Sequence, residues 1–188
     1  MRAAQAQSLL AAVRRLPARE RVAVLEQLDP RTLPAIESCL AVAWVPMFVH
    51  MDLSDALRDV VGPVRNVEVW RSTMTASFNR PFLRGFVHMT TSLLGLSPSS
   101  LFRRGESIYG HVTRDIGSIR FVSAGSNEGL IEMEGFPASE FTFPCYVEGL
   151  HGCLLACFDV CRSDGRIIVT GQDARAGSAT YHAIWDRA

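Results

Sequence analysis

The sequence contains no lysine, and all nineteen of its basic residues are arginine. That excludes a Schiff-base nucleophile and the lysine of a phosphate-binding loop. No apolar run approaches the ~20 residues needed to cross a bilayer, because the longest, Leu40 to Val49, is cut by Pro46. Met1 to Pro17 lacks the basic-then-apolar order of a secretion signal. A cytoplasmic location without a membrane partner is therefore expected. The five cysteines are odd in number, and four fall between Cys145 and Cys161, which argues for reduced thiols rather than a disulfide framework. Formal net charge is zero, so nothing draws the chain to nucleic acid in bulk. The six arginines against three acids up to Arg31 read as a solvated face or a dimer surface, not as a DNA-binding arm.

What is present suits one domain. A chain of 188 residues can bury roughly 70% of its unfolded surface, and 48% apolar composition is enough to do so. The expected division is a helical extension over 1–45 followed by an α+β unit over 46–188, together one compact body. Ala4 to Leu16, Ala18 to Leu28 and a short segment ending at Leu40 show helical spacing. Asp52-Leu53-Ser54-Asp55 reads as the N-cap and acidic first turn of a further helix that Gly62-Pro63 closes. Val67 to Phe78 continues as helix. Asn79-Arg80-Pro81 opens another, with Phe82, Phe86, Met89 and Leu93 inward as far as Gly95. Ser97-Pro98 caps the next, and Glu106 to Asp115 is helical up to Gly117.

After Gly117 the period changes. Ile119–Ser123 and Leu130–Glu134 flank Gly125-Ser126-Asn127-Glu128-Gly129 and predict a hairpin. Pro144 suits a helix start, and Cys145, Gly149, Cys153, Cys157 and Cys161 recur every four residues on one stripe suited to close packing against a sheet. Arg166–Thr170 and Ser178–Trp185 then form a second hairpin, with Ala179, Tyr181, Ala183 and Trp185 alternating inward. The fold class is α+β: a helical first half, then a four-stranded antiparallel sheet built as hairpin, long helix and hairpin, with helices on one face. From Phe121 to Cys161 there are six acids and no arginine, a surface suited to a basic partner.

This order, with Gly117, Cys145-Tyr146-Val147-Glu148-Gly149 and Gly177…Tyr181-His182-Ala183-Ile184-Trp185, resembles the haem-NO-binding, 4-vinyl-reductase-like and TRAPP-related ligand-binding fold. Ala76–Gly85 and Leu94–Pro98 look more specifically like a paralogous family expanded in myxobacteria. The resemblance spans about Arg71 to Trp185. It implies a non-catalytic small-molecule sensor or protein-interaction module, and alternatively an enzyme acting on a tetrapyrrole or other planar hydrophobic substrate. Haem-binding relatives use a helical histidine, for which His111 and His88 stand in position, and a Tyr-x-Ser-x-Arg strand motif. Here Phe121-Val122-Ser123-Ala124-Gly125 keeps the serine and lacks the arginine. Aromatic-sensing relatives carry a zinc site, of which Cys145 matches one ligand while Thr170, Asp173 and Tyr181 stand at the others.

No bound cofactor or metal is expected, haem being the only candidate cofactor. Cys145 and Cys161 would lie about 24 Å apart along a helix, so the stripe reads as small buried side chains rather than one metal site. A Cys-His pair using His151 or His182 lacks the electropositive setting a thiolate needs. Glu132 and Glu134 alternate on a strand and face solvent together, without the differing environments that separate an acid from a base. The expected ligand pocket is apolar, between sheet and helices, lined by Phe86, His111, Phe121 and Tyr146. The expected partners are a hydrophobic small molecule and a second copy or another protein, not nucleic acid.

Overall fold

The computed structural model describes residues 1–78, 84–85, 96–137 and 143–186. Phe82, Phe86, His88, Met89 and Leu93 of the expected sixth helix lie outside them. The described elements are α1 (Ala3–Val13), α2 (Ala18–Gln27), α3 (Thr32–Glu37), α4 (Met47–Val61), α5 (Pro63–Phe78), α6 (Pro98–Arg103), α7 (Gly105–Val112), β1 (Ser118–Ser123), β2 (Glu128–Glu134), α8 (Phe143–Cys161), β3 (Gly165–Asp173) and β4 (Ser178–Trp185). The α+β class is as the sequence pattern predicts.

Strand order is β1-β2-β4-β3, all antiparallel. Each hairpin is local in sequence, and the β2–β4 pairing, which sets Ile131 opposite Tyr181, joins the two across α8. Along β4 every second residue is buried, so Ala179, Tyr181, Ala183 and Trp185 form the inner face. A period of two on a sheet with one covered face dictates this.

The helical half departs from expectation at α4. This helix begins directly after Pro46, so Asp52 to Asp55 lie in its middle and cap nothing. The winning signal is the apolar stripe Val49, Leu53 and Leu57, all essentially buried and four residues apart. Asp52 instead accepts hydrogen bonds from the Thr32 hydroxyl at 2.6 Å and the Asp29 backbone N–H at 3.0 Å, which fixes the start of α3. Gly62 ends α4 with φ at +79°, a conformation without steric cost only for glycine, and the chain reverses into α5. Ser97 caps α6 through a reciprocal box with Ser100.

Two groups of buried side chains result. One joins α1 to α5 around Leu9, Val24, Ile36, Leu53 and Leu57. The other joins the sheet to α5, α6, α7 and α8 around Phe102, Ile131, Phe158 and Tyr181. Trp70 and Cys153 stand at the boundary between them. Among the described residues no helix is long and apolar enough to cross a membrane.

Candidate functional site

The reversal at Gly62 lays α5 beside α4 and brings His50, in the first turn of α4, against Trp70 in the middle of α5. Their ring centroids are 5.3 Å apart at an interplanar angle of 61°. Helix α8 meets this pair through its glycines: a β-carbon at Gly149 would come within 3.2 Å of the Trp70 ring, and one at Gly152 within 2.5 Å of the Val67 carbonyl oxygen. The cysteine stripe of α8 is accordingly turned toward the helices and an internal cavity, not chiefly toward the sheet. The sheet is reached by other residues of α8, including Val147, whose carbonyl accepts from the Tyr181 hydroxyl at 3.0 Å.

The cavity has a volume of about 120 Å³. Its helical wall is Met51, Met74 and Phe78, its sheet wall Ile119, Phe121 and Ile131, and α8 contributes Cys145, Tyr146, Gly149, Cys153 and Cys157. Leu101, Phe102 and Tyr109 close the side formed by α6 and α7. The exposed members of the lining are Glu106 and Arg120, which mark where the cavity meets solvent. Apolar cavities of ~150 Å³ take a benzene ring, so the room here is that of a single ring.

Polar groups in the walls fall into two sets. His50 Nδ1 and Trp70 Nε1 are buried and have no hydrogen-bond partner among the described residues. Leaving such groups unpaired costs about 1–3 kcal/mol each. Burial drives the His50 pKa down to about 3, so its imidazole is neutral at any physiological pH. The second set is satisfied: the Tyr109 hydroxyl donates to the Ile116 carbonyl at 2.7 Å and lies 2.5 Å from the Tyr146 hydroxyl, which is left as the donor between them. Burial raises both phenols, that of Tyr109 to about 12. It also raises the thiols of Cys145, Cys153 and Cys157, that of Cys153 to about 12, so the sulfur-lined wall is uncharged.

Of the residues expected to line a pocket, Phe121 and Tyr146 do so. His111 stands instead on the exposed side of α7, its Nδ1 2.8 Å from the Ser107 carbonyl and outside the lining. Phe86 lies outside the described residues. Ser123 is exposed and donates to the Gly125 carbonyl at 3.1 Å. The cysteines are free thiols, and among the described residues no three His, Cys, Asp or Glu side chains gather in a way that could hold a metal ion. Glu148 and Asp159 of the arginine-free stretch are met from the helical half, by Arg58 at 2.9 Å and Arg71 at 2.5 Å. Sequence reasoning misses His50 and Trp70. An earlier start for α4 would have exposed His50 as an inward-facing polar residue one turn from Ser54.

No family model matches this sequence, and no curated protein is detectably similar to it in sequence. Solved structures are similar in fold. The Fe(II) unliganded H-NOX protein from K. algicida superposes with a TM-score of 0.69 at 11% identity, covering 100% of this chain and 98% of that one. A point mutant of T. tengcongensis H-NOX gives 0.63 at 8% identity, with 100% and 98% covered. An oxygen-binding H-NOX domain related to soluble guanylate cyclases gives 0.61 at 9% identity, with 100% and 96% covered. Identities this low speak to architecture alone. From its helical first half to its closing hairpin, the chain has the fold of the H-NOX domains.

Proposed function

We propose that this chain is a non-catalytic ligand-binding domain, a sensor or interaction module, whose cavity takes a small uncharged apolar molecule in place of haem. The observation that carries the reading is the apolar cavity of about 120 Å³ at the junction of α4, α5, α8 and the sheet. A domain serving only as a scaffold has no use for such a void, since unfilled space forfeits packing energy.

Haem does not fit the residues present. A macrocycle of four pyrroles needs several times the room of one ring, and Phe102 packs against Phe121, Phe158 and Trp185 at centroid distances of 5.6 to 5.9 Å on the sheet side. Arg120 is the only guanidinium in the lining among the described residues, and it is committed to Glu132 at 2.6 Å. His50 is the only histidine in that lining, held edge-on to Trp70. The buried imidazole of His50 and the buried thiols of Cys145 and Cys153 are held in their neutral forms far from pH 7, which suits binding better than proton transfer.

The test is thermal unfolding of the full chain with benzene or toluene, beside a haemin titration read by absorbance. A ligand that binds only the native state raises Tm with its concentration. The expected result is a rise in Tm with either hydrocarbon and no one-to-one haem band. A stoichiometric haem spectrum, or no response to either hydrocarbon, would overturn the reading.

A further inference from the structure

We propose that the connection between α3 and α4 is a membrane-contact surface, which lays Leu40, Val42, Trp44 and Phe48 into the interface of a bilayer bearing anionic lipid. None of the four lines the cavity. The longest apolar run of the chain, Leu40 to Val49, lies largely on the surface instead of in the core: Leu40 is 77% exposed, Val42 59%, Phe48 43% and Trp44 37%. Single exposed apolar residues are ordinary, but four within nine residues form a patch, and such patches mark interaction sites. The expectation of no membrane partner rests on the want of a spanning segment. Lying on a bilayer requires none.

A loop that leaves water must bring its backbone hydrogen bonds with it, because lipid tails offer none. This one does. The Cys39 carbonyl accepts from Gln7 Nε2 at 2.8 Å, that of Leu40 from the Ala43 N–H at 2.8 Å, that of Ala41 from the Ala4 N–H at 3.0 Å and that of Ala43 from the Ala3 N–H at 2.9 Å. The Arg2 guanidinium donates to the Val42 carbonyl, and the Val45 N–H donates to the Met1 carbonyl at 2.9 Å. The backbone is thus pinned to the start of α1 while the large side chains are held outward.

Charge selects the lipid. Between Glu37 and Asp52 there is no acid, and the rim of the patch is arginine. Arg2 lies 3.9 Å over the Trp44 ring, Arg114 stands 5.9 Å from the same ring, and Arg31 stands 5.6 Å from that of Phe48. Arg31 shares Asp29 and Arg114 lies 3.9 Å from Asp115, whereas among the described residues no acid pairs with Arg2. A guanidinium resting on a ring reaches headgroup depth when that ring enters the interface. A protein partner suits the patch less. Its exposed apolar area is on the order of 400 Å², against roughly 800 Å² per partner and about one hydrogen bond per 100–200 Å² in a stable protein contact. From Leu40 to Phe48 the only polar side-chain atom is the indole nitrogen of Trp44.

The test is sedimentation of the full chain with vesicles of phosphatidylcholine, alone or mixed with phosphatidylglycerol, beside tryptophan emission. Trp70 and Trp185 are buried, so the solvent-exposed component of the emission belongs to Trp44. The expected result is a blue shift with the mixed vesicles and a partition about fivefold or more stronger than onto the neutral ones, weakened by salt. Joint substitution Leu40→Ser and Val42→Ser changes two exposed side chains and no backbone bond. It should weaken partition about tenfold or more and leave Tm unchanged. No partition, equal partition onto both vesicles, or partition untouched by the double substitution would overturn the proposal. Self-association without vesicles that the double substitution abolishes would overturn it too, in favour of a contact between copies of the chain.

Discussion

The indole of Trp70 and the bare α-carbon of Gly149 face each other across the α5–α8 seam, with room for no more than a tight β-carbon contact at 3.2 Å. One turn on, Gly152 is closer still. Its added methyl would meet the Val67 carbonyl oxygen at 2.5 Å, Trp70 Cβ at 2.6 Å and the Arg71 amide nitrogen at 2.9 Å, two of them backbone atoms that cannot swing away. Gly152→Ala should therefore force the helices apart and cost about 1–3 kcal/mol. Urea denaturation would show it as a lowered midpoint, and an unchanged midpoint would mean that the seam is looser than described.

The Glu148 carboxylate accepts from Arg58 Nε through both oxygens, at 3.0 and 2.9 Å, and from Asn66 Nδ2 at 3.0 Å, so one α8 side chain ties down α4 and α5 together. Removing it strands a partly buried guanidinium and a fully buried amide. Glu148→Ala is expected to destabilise by about 1.5–3 kcal/mol. By contrast Arg120→Ala, whose side chain is 69% exposed, should cost less than about 1 kcal/mol. Equal effects in chemical denaturation would count against this ranking.

All five thiols should react with a disulfide reagent in denaturant. In the native protein at pH 8, burial keeps the thiols of Cys145, Cys153 and Cys157 protonated, puts Cys145 and Cys157 out of reach, and raises Cys161 to about 12. Cys39, at an intermediate position ahead of the exposed Leu40, should be modified first. Peptide mapping after brief labelling would check the order, and early labelling of Cys153 would mean that the cavity opens readily.

His50 makes stability depend on pH in a definite direction. In the unfolded chain it protonates below its ordinary 6.5, whereas in the fold it stays neutral down to about 3. Between those values the unfolded state holds one proton more, so the contribution is complete above 6.5 and is lost as pH falls, by up to about 1.4 kcal/mol per pH unit. His50→Leu should flatten this slope, and the urea midpoints of both proteins at pH 7 and pH 5 would show it. Parallel slopes would place His50 in contact with water.

Much of the second half is legible in the residues. Gly117 ends one period and begins another, the five residues from Gly125 to Gly129 suit a turn, and β4 alternates cleanly, all of them short-range signals. The start of α4 is easily misread because Asp52 and Ser54 mimic a cap, and only the apolar stripe beginning at Val49 outweighs them. The arginine-free acidic stretch is legible as composition. That Arg58 and Arg71 answer Glu148 and Asp159, 90 and 88 residues apart, is not.

By itself the sequence determined the order of the described elements, the inward faces of the strands, and the absence of any lysine-based chemistry. Local periodicity and composition suffice for these, because they depend on neighbours a few residues away. Only the tertiary structure decided that His50 and Trp70 meet, that His111 faces solvent, and that the cavity is of single-ring size. Which inward faces touch, and how much space remains between them, depends on side-chain volumes and glycine gaps from four elements at once.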